Sequence, residues 1–139
     1  MQAATTFGVP PGLLVAIADV ESAHRPAAVA YARNGTHSVG LMQINSSWFA
    51  DLRRRGITEE RLFEPCVNVQ VGAWILSQSI ERYGATWEAV GAYYAGPCDG
   101  TSCRWKLPLY REYAQKVFRA WKRQSAPRGG AHIRAAQLR

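Results

Sequence analysis

Histidine and cysteine are scarce in this chain, and those present are badly spaced for holding a metal. His24, His37 and His132 are scattered, and Cys66, Cys98 and Cys103 form no CxxC pair. A zinc site or a redox motif is therefore not expected, and neither is any other cofactor. Long apolar runs are missing too. None approaches the ~20 residues needed to span a bilayer. The opening Met1-Gln2-Ala3-Ala4-Thr5-Thr6 has neither the charged nor the apolar region of an export signal. No internal repeat is visible, which argues against a solenoid. No helix-turn-helix, zinc finger or RNA-binding motif is present, so nucleic acid is not an expected partner. Acidic residues are in the minority: ten against seventeen Lys and Arg, for a net charge of +7. A basic surface of this kind suits a polyanion such as bacterial wall.

What remains is an ordinary globular composition. Hydrophobic residues make up 47% of 139 residues, enough for one domain with a real core. The pattern is mainly α-helical. Pro10-Pro11-Gly12 opens a helix in which Leu13, Leu14, Ile17 and Val20 recur at helical spacing. Between Arg25 and Val39, Pro26 and Asn34-Gly35 predict a small β-hairpin or an irregular β element. Ser46 or Ser47 caps a short helix through Arg55, stopped by Gly56, and Thr58 caps a further turn. A longer helix is predicted from about Asn68 to Tyr83, with Val67, Val71, Trp74, Ile75 and Gln78 facing inward. Thr86 caps the next, which holds Ala89, Val90 and Tyr93 and ends at Gly96-Pro97. The last begins near Pro108 and docks through Tyr110, Ala114, Val117 and Trp121. These elements form one domain over residues 1–124. Ser125–Arg139, rich in Ser, Pro, Gly and Arg, reads as a basic, poorly ordered tail.

Three blocks carry possible chemistry. Glu21 falls at i+7 from Leu14 and i+4 from Ile17, on the apolar side of the first helix. Burial there disfavours the carboxylate and raises its pKa, which makes a proton donor near neutral pH. The competing role is an i,i+4 ion pair with Arg25. The second block is Ser38-Val39-Gly40-Leu41-Met42-Gln43-Ile44-Asn45, whose amides suit N-acetyl and hydroxyl groups and whose thioether suits a sugar face. The third is Ala92-Tyr93-Tyr94-Ala95-Gly96, where a phenol reaches toward a buried carboxylate. Each block alone is as well explained by loop entry or core packing.

Together, in this order and spacing, Glu21-Ser22, SVGLMQIN, Asn68 with Gly72, and AYYAG resemble the lytic transglycosylases that carry a goose-lysozyme-like fold. The likeness covers roughly Phe7 to Gly96. Gly56-Ile57, Pro65-Cys66-Val67-Asn68 and Trp87–Tyr93 look more narrowly like the small transglycosylases of type III and type IV secretion, conjugation and pilus systems. The resemblance implies a lysozyme-like helical domain acting on peptidoglycan glycan strands. Glu21 is the implied catalytic acid and then base, closing a 1,6-anhydro ring on N-acetylmuramic acid. Ser22 and Ser38 are implied to orient Glu21 or substrate, Gly40, Met42 and Gln43 to line the sugar site, and Tyr93 to hydrogen-bond the carboxylate. The family usually has Asn where this chain has Tyr94, so that substrate contact differs. Asn68, Cys98 and Cys103 are read as structural.

Two rivals stand beside this reading. One is a hydrolytic muramidase on the same fold, with Asp51, Glu59, Glu60 or Glu64 as a second carboxylate. The other is a non-enzymatic basic module that binds wall polymer or nucleic acid. A periplasmic monomer is expected, with partners among the components of a secretion, conjugation or pilus machine. Cys98 and Cys103 bracket a short loop that a disulfide would close, which leaves Cys66 odd. The resemblance implies that a cysteine upstream of Met1 pairs with Cys66, and that an export leader precedes it.

Overall fold

A computed structural model describes residues 2–125 of the chain. Among these, α1 (Gln2–Phe7) and α2 (Pro11–Ser22) are followed by three short strands, β1 (Val29–Tyr31), β2 (His37–Val39) and β3 (Ile44–Asn45). Then come α3 (Phe49–Arg54), α4 (Pro65–Tyr83), α5 (Trp87–Ala95) and α6 (Leu107–Ser125), with short 3₁₀ turns before α3, α4 and α6. The fold is thus mainly helical with a small β element. Residues 126–139 of the expected tail lie outside the described residues. No described helix is long and apolar enough to cross a membrane.

The expected caps and stops account for most boundaries. Pro11 occupies the first turn of α2, where its missing N–H costs nothing. Thr86 accepts from the Ala89 N–H at the start of α5, and Gly84 and Gly96 close α4 and α5 with positive φ. Three boundaries differ from expectation. The turn over Glu60–Phe63 is preceded by Glu59 and has no side-chain cap, so Thr58 does not cap it. α4 begins at Pro65 rather than near Asn68, because Pro65 is itself a favourable first-turn residue. Before α3 the cap is Asn45, whose side chain accepts from Ser47 N at 3.1 Å, and not Ser46 or Ser47.

The sheet is antiparallel in the order β1-β2-β3. A five-residue loop joins β1 to β2. Gly35 takes its left-handed position, and Asn34 Oδ1 accepts from Thr36 N at 3.0 Å. β3 pairs Asn45 with Ser38 and Ile44 with Val39, closing the Gly40–Gln43 loop between two strands. The helices pack α6 on α5 and α2, and α5 on α4. The core runs through Leu14, Ile17, Val39, Met42, Ile44, Leu52, Leu62, Leu76 and Val117, all essentially fully buried. Asn68 is buried as deeply, the one polar side chain among the largest such residues described.

Cys98 and Cys103 form a disulfide that closes the α5–α6 loop, and Cys66 is free and exposed. The loop is also held by Tyr83, whose hydroxyl accepts from Cys98 N at 2.7 Å. A bridge closing so short a loop contributes about 2 kcal/mol through the unfolded chain. C98S/C103S is therefore expected to lower the unfolding free energy by about that amount while keeping the fold, as a urea titration would show. A loss several-fold larger would mean that the bridge shapes the domain itself.

Candidate active site

Glu21 sits in the last turn of α2, and Ala23 ends the helix in the left-handed region at φ 53°. Its side chain turns inward, as the apolar stripe predicts, and no ion pair joins it to Arg25, which instead donates to Ser22 O at 3.0 Å. Burial raises the Glu21 pKa from 4.5 to about 7, opposed by a hydrogen bond from Tyr113 and by the positive charge of Lys116. A position at a helix C-terminus, the negative end of its dipole, favours the neutral acid as well.

The carboxylate's hydrogen-bond partner corrects the expectation for Tyr93. Tyr113 on α6 donates to Glu21 Oε2 at 2.7 Å, while the Tyr93 hydroxyl donates to Met42 O at the same distance. Both phenols are pushed well above their usual pKa, by burial first and by the nearby carboxylate second. They therefore stay protonated and remain donors. Tyr113 lies beside Tyr110 and Ala114 on the stripe that docks α6, which marks it as a buried aromatic with a polar tip. That signal was available in the sequence.

Several residues read as contacts to substrate or Glu21, together with the structural Asn68, hold one loop, Gly40–Gln43, in place. Ser22 Oγ is shared between Leu41 O at 2.8 Å and Ala18 O at 3.1 Å, so it ties α2 to the loop and not to Glu21. Asn68 Oδ1 accepts from Met42 N at 2.7 Å, and its amide donates to Val39 O and Leu62 O at 2.9 and 2.8 Å. Tyr93 holds the loop from α5. The Met42 side chain is fully buried against Gly72 of α4, where a Cβ would collide with it, so it belongs to the core and not to a sugar surface. Gly40 adopts φ 81°, and a Cβ there would run into the Asn68 amide. Gln43 holds φ 51°, a strained conformation for a non-glycine residue. Its amide nitrogen is committed to Ala28 O and Gly40 O, at 3.1 and 3.0 Å.

Gln43, at the end of this loop, lines a cleft of about 400 Å³ that reaches Glu21. Ser38, Asn45, Tyr93 and Tyr94 line it as well. Ser38 Oγ accepts from Asn45 Nδ2 at 3.1 Å. The cleft continues past Asn45 and Trp48 into a space of about 340 Å³ bordered by Gln78 and Arg82. Tyr94 is 56% exposed and stacks on Tyr113, with ring centroids 4.9 Å apart and planes 7° from parallel. Among the described residues, Glu21 is the only carboxylate lining this cleft. Of the alternatives, Glu59 pairs with His37, Asp51 with Arg54 and Arg55, and Glu64 with Arg61, while Glu60 lines neither part of the cleft. Asp19 pairs with Arg123 on the outer side of α2.

A buried neutral acid in an open, polar cleft can donate a proton to a bound ether oxygen and then accept one from a hydroxyl. The family model of the transglycosylase SLT domain matches residues 1–107. The chain belongs to the transglycosylase SLT-domain family. Its relatives include the invasion protein IagB of Salmonella typhimurium, 41% identical over 124 residues, which cover 88% of this chain and 74% of that one. Protein IpgF of Shigella flexneri is 38% identical over 126 residues, covering 90% of this chain and 80% of its own. Among solved structures, the lytic transglycosylase Slt of Pseudomonas aeruginosa, in an inactive mutant form, superposes with a TM-score of 0.67 at 26% identity. That match covers 91% of this chain and 24% of the much longer Slt chain. The lysozyme-like helical fold and the enzyme class expected from the motifs, a lytic transglycosylase, follow from the family.

Proposed function

We propose that the chain cleaves the β-1,4 bond between N-acetylmuramic acid and N-acetylglucosamine in peptidoglycan, leaving a 1,6-anhydro end. The observation that carries this reading is the solitary carboxylate. Most glycosidases that hydrolyse their bond use two carboxyl groups, one as acid and the other as nucleophile or base. Glu21 has no such companion in the cleft among the described residues; Glu112 borders only a separate pocket on the α6 side, where it pairs with Lys116 at 3.6 Å. A single group suffices when the substrate supplies the nucleophile. Protonated Glu21 gives its proton to the glycosidic oxygen, the bond breaks, and the leaving sugar departs as an alcohol. The resulting carboxylate takes the proton of the muramic acid 6-hydroxyl as that oxygen closes on the anomeric carbon. Glu21 ends protonated and water is not consumed. The Tyr113 hydroxyl donates to the charged form at mid-reaction and holds its orientation.

The cellular role that suits this reaction is local opening of the wall for a secretion, conjugation or pilus machine, in the periplasm. The likeness to IagB, named an invasion protein, supports that setting. Digestion of purified sacculi tests the chemistry. Soluble muropeptides should appear without a matching rise in ends reducible by borohydride. An equal rise in reducible ends would favour the muramidase.

The pH dependence follows from Glu21. The reacting form is the neutral acid, and its pKa is about 7. The value of kcat/KM should hold on the acid side and fall about tenfold per pH unit above 7. An ordinary glutamate would already lose activity above ~4.3. Initial rates on soluble glycan strands between pH 5 and 9 measure this limb. A profile that stays flat to pH 9 would remove Glu21 from the acid role.

A further inference from the structure

Tyr94 touches three things at once. Its ring stacks on Tyr113, it lines the main cleft, and it borders a separate pocket of about 210 Å³ on the α6 side. That pocket is edged by Val20, Leu109, Glu112 and Lys116, and it too reaches Glu21. The Tyr94–Tyr113 pair therefore stands between two openings to the same carboxylate. Tyr113 is 4% exposed and its only described polar contact is Glu21, whereas Tyr94 is more than half exposed. The neighbouring Tyr93 hydroxyl is directed to Met42 O, so Tyr93 cannot take over the hydrogen bond to Glu21 without releasing the loop.

We propose that Tyr94 is a positioning residue. Its ring, stacked flat on Tyr113, holds that phenol against Glu21 and so fixes the direction of the reacting carboxyl. A near-parallel stack opposes movement of Tyr113 out of its ring plane, and so keeps its hydroxyl within hydrogen-bond reach of Oε2. Without the stack, Tyr113 can swing into the space Tyr94 leaves, and Glu21 loses the contact that selects one rotamer. The aromatic face matters here and the Tyr94 hydroxyl does not. This chain thereby uses an exposed aromatic at the rim of the cleft to order its acid.

The proposal rests on Glu21 being the acid, and the test separates the two ideas. Wild type, E21Q, Y94F, Y94A, Y113F and Y94A/Y113F are assayed on soluble glycan strands, with melting temperatures recorded for each. Aromatic stacks have a strength equivalent to up to about tenfold in an equilibrium. Y94A should lower kcat about five- to tenfold with KM within about twofold, and Y94F should restore most of the rate. In the Y113F background, Y94A should have little further effect, because the group it acts through no longer reaches Glu21. A loss confined to KM, a Y94F as poor as Y94A, or effects that multiply in the double variant would each overturn the positioning role. A Y94A loss that tracks lowered melting temperature and is equally large in the Y113F background would also overturn it. If E21Q cleaves as well as wild type, the functional reading fails, whatever the tyrosines do.

Discussion

Glu21→Gln is expected to abolish cleavage and, at pH 8, to melt higher than the wild type. General acid catalysis alone commonly contributes ~10²–10⁴-fold, and here the same group also serves as the base, so the loss should reach at least that range. The stability gain has a different origin. The native state holds the Glu21 proton up to about pH 7, whereas the unfolded chain releases it near 4.5. Between those values the native state binds more protons, so unfolding free energy falls as pH rises, and above 7 the cost is fully present. A shift of this size corresponds to roughly 3 kcal/mol. Glutamine keeps the shape and an oxygen to accept from Tyr113, but never carries the charge. E21Q should thus melt on the order of 5–10 °C higher at pH 8 and within a few degrees of wild type at pH 4.5. Thermal melts of both proteins at the two pH values test this. An unchanged or lower melting temperature at pH 8 would mean that the carboxylate is not held at a cost.

Asn68→Ala should produce the largest stability loss of any single polar substitution in the domain. Asn68 is fully buried, and its amide satisfies Met42 N, Val39 O and Leu62 O together. Alanine leaves those three backbone groups without partners in a dry environment and opens a cavity beside Gly40. Stranded buried groups cost roughly 1–3 kcal/mol each, so a total near 3–5 kcal/mol is expected after partial relaxation. Asn68→Asp should fare no better, since a carboxylate oxygen would face two carbonyls. Because Met42 O also anchors Tyr93, the loop and the cleft wall should loosen with the fold. Urea unfolding, with the slope constant and the midpoint lowered, would show it. A loss below about 1 kcal/mol would mean that the Gly40–Gln43 loop supports itself.

The helices were legible because each carries its own instructions: an apolar stripe, a proline or threonine at its start, and a glycine at its end. α2, α5 and α6 lie where Pro11, Thr86 and the Tyr110–Trp121 stripe place them. The inward turn of Glu21 was equally local, a matter of seven residues' spacing from Leu14. What escaped the sequence was long-range. Strand β3 is two residues long and exists only because Ser38 and Val39 lie opposite it. The hydrogen bonds of Ser22, Asn68 and Tyr93 to the Gly40–Gln43 loop span 19 to 51 residues. Spacing along the chain showed that those residues belong together and marked Asn68 as structural, but not that Ser22 and Tyr93 grip the loop instead of the substrate or Glu21. Met42 gave no warning of its burial, because a thioether suits a core as well as a sugar face. The partner of Glu21 comes from 92 residues away, and Tyr113 and Tyr93 are equivalent in type, so only the packing of α6 distinguishes them.

One carboxylate acting as acid and then base makes a definite claim about water. Hydrolysis incorporates a solvent oxygen at the new glycan end, whereas intramolecular ring closure incorporates none. Digestion of purified sacculi by the wild-type protein in heavy-oxygen water, followed by mass spectrometry of the released muropeptides, reads this difference directly. The expected products are unlabelled and carry anhydromuramic acid ends. Products with a reducing end that carries the heavy oxygen would contradict the account and require a second carboxylate to activate water.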